Sequence, residues 1–142
     1  MQNILVPIDG SDASLRALKK AIKMAQQNKE DCTLHVLNVQ PPLISNNAAR
    51  FFTADVLKDY YDDAGKEALD RARELLATIE IPHQIYIEVG PVVDIITKYV
   101  NEYDCGYLVM GTRGLGAVPG LLLGSVTTKV LNAVNIPVTL VK

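Results

Sequence analysis

Five short apolar runs, each parted from the next by a segment of helical periodicity, constrain this chain more than any other feature. Ile4-Leu5-Val6-Pro7-Ile8, Thr33 to Val39, Gln84 to Val89, Tyr107 to Met110 and Pro137 to Val141 read as strands. Between them the apolar residues recur every three or four positions: Leu15, Leu18, Ile22 and Ala25, then Val92, Ile96 and Val100, then Val126, Val130 and Val134. A longer helix is expected over about residues 54–79, with its stripe through Leu57, Tyr60 or Tyr61, Ala64, Ala68, Ala72, Leu75 and Ile79. Ser11 is placed to cap the first helix, and Pro91 stands near the first turn of the third, where a missing N–H costs little. Strands apolar along their whole length, alternating with helices, predict an α/β fold with a parallel sheet covered on both faces. A single domain over residues 1–142 is expected, long enough to bury one substantial core.

Composition narrows the function classes. Fourteen basic against sixteen acidic residues leave a net charge of −2, which argues against a broad nucleic-acid footprint. No apolar run approaches the ~20 residues of a membrane span, and the first residues lack the pattern of a secretory leader. A cytoplasmic protein is expected. Cys32 and Cys105 form no CxxC pair and read as buried thiols. His35 and His83 have no partner at metal-ligand spacing and read as structural, and Asp62-Asp63 as solvated surface. Residues 40–53 are expected to form a mobile loop. Phe51-Phe52 should pack it against the long helix, with a lid over a site or a partner contact as alternatives.

The one stretch that fits neither helix nor strand is GTRGLGAVPGLLLGS, with five glycines between Gly111 and Ser125. It follows the fourth strand, at a carboxyl end where open α/β sheets gather their ligands. Bare backbone there lets N–H groups approach a ligand, and a helix beginning at Ser125 adds about half a positive charge that favours phosphate. Two familiar phosphate motifs fail. A P-loop needs lysine after its last glycine, where this chain has Ser125, and a GxGxxG reading from Gly114 meets Pro119.

Gly111-x2-Gly114-x9-Gly124-Ser125 resembles the ATP-binding signature of the universal stress protein family. ILVPIDGSDAS, LHVLNV, LVMGTRGLG, LLLGSVTTKVL and IPVTLVK also look like that family, in order and across the whole chain. The resemblance implies a five-stranded sheet of order 3-2-1-4-5 and a homodimer formed through the last strand, residues 136–142. It also implies an ATP site. The backbone at Val36 would meet the adenine edge, and Pro7 and Asp9 would lie near ribose and phosphates. Met110, Gly111, Gly114, Gly124, Ser125, Val126 and Thr127 would surround them, with Arg113 at a variable position inside the signature. A carboxylate facing a triphosphate needs a bridging cation or a ribose hydroxyl, so Asp9 is expected to act through phosphate-bound Mg²⁺ or Mn²⁺. The expected role is a regulatory module that holds ATP and acts through an unidentified protein partner in a stress response. A slow ATPase or autophosphorylating enzyme is the alternative, although the signature offers no evident base and Arg113 is its one nearby cation.

Overall fold

A computed structural model describes residues 2–43, 50–115 and 119–142. Five parallel strands, β1 (Gln2–Pro7), β2 (Cys32–Gln40), β3 (His83–Val89), β4 (Tyr107–Gly111) and β5 (Val138–Val141), stand in the order β3-β2-β1-β4-β5. Four helices connect them in sequence: α1 (Asp12–Gln27), α2 (Ala54–Leu76), α3 (Val92–Glu102) and α4 (Ser125–Ala133). The strand order predicted above is the one observed. The central strand β1 pairs with β2 from Gln2↔Cys32 to Pro7↔Leu37 and with β4 at Ile4↔Tyr107 and Leu5↔Leu108.

The sheet separates two cores. Ile4, Val6, Leu34 and Val36 face one way and pack with Leu18 and Ile22 of α1 and Leu69 and Leu76 of α2. Leu5, Leu37, Leu108 and Met110 face the other way, against Ile96 and Val100 of α3 and Val130 of α4. This is the period-two alternation of strands buried on both faces. Ser11 caps α1 as expected, its hydroxyl accepting a hydrogen bond from the Ser14 N–H at 3.1 Å. Cys32 and Cys105 are buried and form no disulfide, and burial pushes the Cys105 thiol up to about 11, which disfavours the thiolate.

The long helix corrects the expectation. Its buried residues are Gly65, Leu69, Ala72 and Leu76, so only Ala72 of the expected stripe is fully buried, while Leu75 and Ile79 pack at the core's margin. The reason is Gly65. A Cβ built there would lie 2.6 Å from the Ile87 side chain, so the glycine face is the one that approaches β3. Ala64 and Ala68 are thereby turned toward the carboxyl end of the sheet. The first turns of α2 stand clear of the core, and Phe51 and Phe52 before them are 86% and 48% exposed, so Phe51 stands largely in solvent and Phe52 is about half covered. Residues 44–49 of the expected mobile loop lie outside the described residues.

Candidate functional site

With β2 on one side of β1 and β4 on the other, successive connections leave in opposite directions, and their divergence opens a crevice at the strands' carboxyl ends. A cleft of about 870 Å³ occupies that place, within the usual range for small-molecule sites of about 300–1,000 Å³. Pro7 at the end of β1 and Asp9 and Gly10 just after it line one side, and Met110 and Gly111 come from the end of β4. Arg113, Gly114, Leu115 and Leu121 form one lip, Ser125, Val126 and Thr127 the start of α4, and Ala64, Glu67 and Ala68 the opposite wall on α2.

The glycine stretch is held at its base by backbone pairing. Thr112 N–H donates to Val141 O at 2.9 Å, and Gly124 N–H donates to Thr112 O at 2.8 Å, bringing the two ends of the loop together. The buried Thr127 hydroxyl donates to Gly111 O at 3.0 Å and fastens α4 to the end of β4. Gly124 is the N-cap of α4 and offers no side-chain hydrogen bond. The first amides of that helix are therefore not satisfied by a capping side chain, and they carry the positive end of its dipole. Asp9 faces the loop. Its Oδ1 accepts from the Ser11 N–H at 2.9 Å and its Oδ2 from the Leu115 N–H at 3.0 Å.

Ten of the eleven expected residues thus meet in one cleft: Pro7, Asp9, Met110, Gly111, Arg113, Gly114, Gly124, Ser125, Val126 and Thr127. Val36 does not line it. That residue is fully buried inside β2, level with Val6 on one side and Ile85 on the other, so neighbouring strands flank its backbone on both sides. Further along the same strand, Asn38, Val39 and Gln40 line the cleft instead. The Asn38 side chain donates to Ile8 O at 2.8 Å and accepts from the Gln40 side chain at 2.7 Å. Asn38 could have been noticed as a polar residue interrupting an apolar strand. Glu67 and Ala68 carried no such signal, because the rotation of α2 that exposes them depends on Gly65. Val126, expected on the apolar stripe of α4, is 37% exposed at the cleft.

His35 belongs to a different, closed arrangement. Asn3 donates its side-chain N–H to Tyr103 O at 2.8 Å, which leaves its Oδ1 to accept from His35 Nε2 at 3.1 Å. Nδ1 then accepts from the Tyr86 hydroxyl at 3.0 Å. Tyr103 stacks on the imidazole at 4.8 Å, and burial holds its pKa below the ordinary 6.5. His83 bonds Ile81 O at 2.9 Å. Among the described residues there is no group of three or more His, Cys, Asp or Glu able to hold a metal ion, and no helix long and apolar enough to cross a membrane.

A universal stress protein from Thermus aquaticus is 31% identical over 147 residues, spanning 99% of this chain and 98% of its own length. The solved universal stress protein UspA from Lactobacillus plantarum shares the fold at a TM-score of 0.84 and 24% identity, covering 99% of this chain and 97% of its own. A universal stress protein solved in complex with cAMP is 29% identical, with a TM-score of 0.64, covering 99% of this chain and 95% of its own. The model of the universal stress protein family matches residues 1–142, and the chain belongs to that family.

Proposed function

We propose that the chain, acting over residues 1–142 as one unit, is an adenine-nucleotide-binding regulatory module of the stress response. The observation that carries this reading is the pairing of the glycine loop with an α4 N-terminus that no side chain caps, both opening on the cleft at the switch point. The relative solved with cAMP supports a nucleotide as the ligand. The apolar wall of Val39, Val92, Ile96 and Ala68 suits a base, and the polar edge of Asn38 and Gln40 suits its hydrogen-bonding rim.

ATP with Mg²⁺ is the proposed ligand. The cleft fits it: backbone amides and a helix end would take the phosphates, while Asp9 is the carboxylate nearest the loop. Bound Mg²⁺ would supply charge neutralisation at the phosphates, and phosphate oxygens would provide most of its ligands. Affinity in the low micromolar range is expected, worth about 7–9 kcal/mol. No residue of the loop stands out as a base, so turnover well below about 1 per second is expected, and a slow ATPase remains the second reading. The outer edge of β5, which among the described residues pairs with β4 alone, is the proposed homodimer contact. Sedimentation of the protein as a monomer at micromolar concentration would refute the contact. Mass spectrometry of whatever leaves the purified protein on mild denaturation tests the main reading. Recovered ATP supports it, mainly ADP favours hydrolysis, and failure of calorimetry to detect any adenine nucleotide binding overturns it.

A further inference from the structure

We propose that Asp9 latches the glycine loop and, through its charge, makes the cleft discriminate among phosphate ligands. The inference rests on the nucleotide reading but assigns Asp9 a role in the free protein as well. Leu115 N–H is a loop amide of the kind that would otherwise face a phosphate, and here it donates to Asp9 Oδ2 at 3.0 Å. The other carboxylate oxygen is held by Ser11 N–H at 2.9 Å, and Ser11 is the cap of α1. Fastened at both oxygens, the carboxylate ties the loop to the start of α1. The contact is close. A Cβ built on Gly114 would collide with the same Oδ2, so a side chain at 114 would have to push the carboxylate out of this position.

Two consequences follow for anions. A phosphate oxygen that takes the Leu115 amide must displace the carboxylate, and one that leaves it in place sits beside a negative charge. Arg113 and the N-terminus of α4 offset this only in part. Among the described residues the charged side chains lining it are Asp9, Glu67 and Arg113, two acidic and one basic. Repulsion scales with the product of the charges. A metal-free triphosphate is therefore resisted strongly, a cation-neutralised one weakly, and a singly charged cyclic monophosphate least. Asp9 acts as a positioning residue whose charge filters ligands.

Calorimetry with ATP in Mg²⁺, ATP in EDTA, and 3′,5′-cyclic AMP separates the possibilities, using the parent and Asp9→Asn, which keeps the shape and one acceptor. The substitution is expected to tighten metal-free ATP binding at least ~10-fold and to change cyclic AMP binding less than ~3-fold, in keeping with charge-dependent repulsion. An unchanged ratio of metal-bound to metal-free affinity overturns the filter and leaves the nucleotide reading intact. A parent that binds no adenine nucleotide in either buffer overturns the nucleotide reading and the filter with it. The latch has its own test in the nucleotide-free protein, with Thr112 N–H, bonded to Val141 O, as the reference amide. In Asp9→Ala, hydrogen exchange at Leu115 should quicken at least ~10-fold relative to Thr112, as expected when a protecting hydrogen bond is removed. An unchanged ratio of the two exchange rates overturns the latch.

Discussion

His35 and Asp9 are both titratable side chains hydrogen-bonded at two atoms, one with its cluster in the body of the sheet, the other just past its end. His35 is 5% exposed, with its two nitrogens facing Asn3 and Tyr86 and a ring stacked on it. Asp9 is half-buried, with its oxygens facing backbone amides and a cleft of about 870 Å³ in front of them. Satisfied hydrogen bonds alone therefore do not distinguish an enclosed group from one that faces the cleft. The distinction lies in what surrounds the bonds. Around His35 side chains fill the space, so its partners are permanent. Around Asp9 one partner is a loop amide beside open volume, so a ligand can compete for it.

The largest effect should come from breaking the closed arrangement. His35→Ala leaves Asn3 and Tyr86 without their partner and removes a stacked ring, and is expected to cost about 3 kcal/mol in chemical denaturation. Nucleotide affinity should stay within ~3-fold, since His35 does not line the cleft. The same histidine sets an acid limb. Its folded pKa lies below the unfolded value of 6.5, so between the two the unfolded chain binds more protons. Stability should be complete above about pH 6.5 and fall as pH drops toward the folded pKa, and this contribution should be missing from His35→Ala in denaturation series run from pH 7 to 5.

The open arrangement should respond in the opposite manner. Gly114→Val pushes a side chain into Asp9 and the loop, and should weaken ATP binding at least ~100-fold by calorimetry, about 2.7 kcal/mol, with circular dichroism unchanged. Binding as tight as the parent's would show that the loop is not the cradle.

Smaller effects sharpen the contrast. Tyr99 donates to Glu88 at 2.6 Å at the margin of the aromatic cluster, and burial foremost pushes its hydroxyl's pKa far above the ordinary range. Tyr99→Phe should cost about 1 kcal/mol of stability and leave binding alone, because half-buried Glu88 can turn to water. Ser125→Ala, at the first position of α4, should do the reverse. It removes a single hydroxyl from the cleft, weakening ATP binding about 3-fold in the same calorimetric titration without moving the denaturation midpoint.

The strand–helix alternation was legible because periodicity is local: Leu5, Val6, Leu108 and Val109 are apolar wherever the chain takes them, and a parallel sheet is what such runs can build. The glycine stretch announced itself in the same way, since five glycines between Gly111 and Ser125 suit neither regular structure. Sequence alone also placed a cap at Ser11, where a hydroxyl reaches an amide three residues on. What it could not decide were quantities set by contacts between distant segments. The face of α2 turned to the sheet depended on Gly65 meeting Ile87, and that contact exchanged Ala64 and Ala68 from core to cleft wall. How deep Val36 lies depended on the register of β2 between β1 and β3. The bond from Leu115 to Asp9 joins residues 106 positions apart, a distance across which no spacing rule operates. Local chemistry determined which elements form and where bare backbone is needed; tertiary packing decided which atoms face one another, because only a closed core holds their positions to within a hydrogen bond.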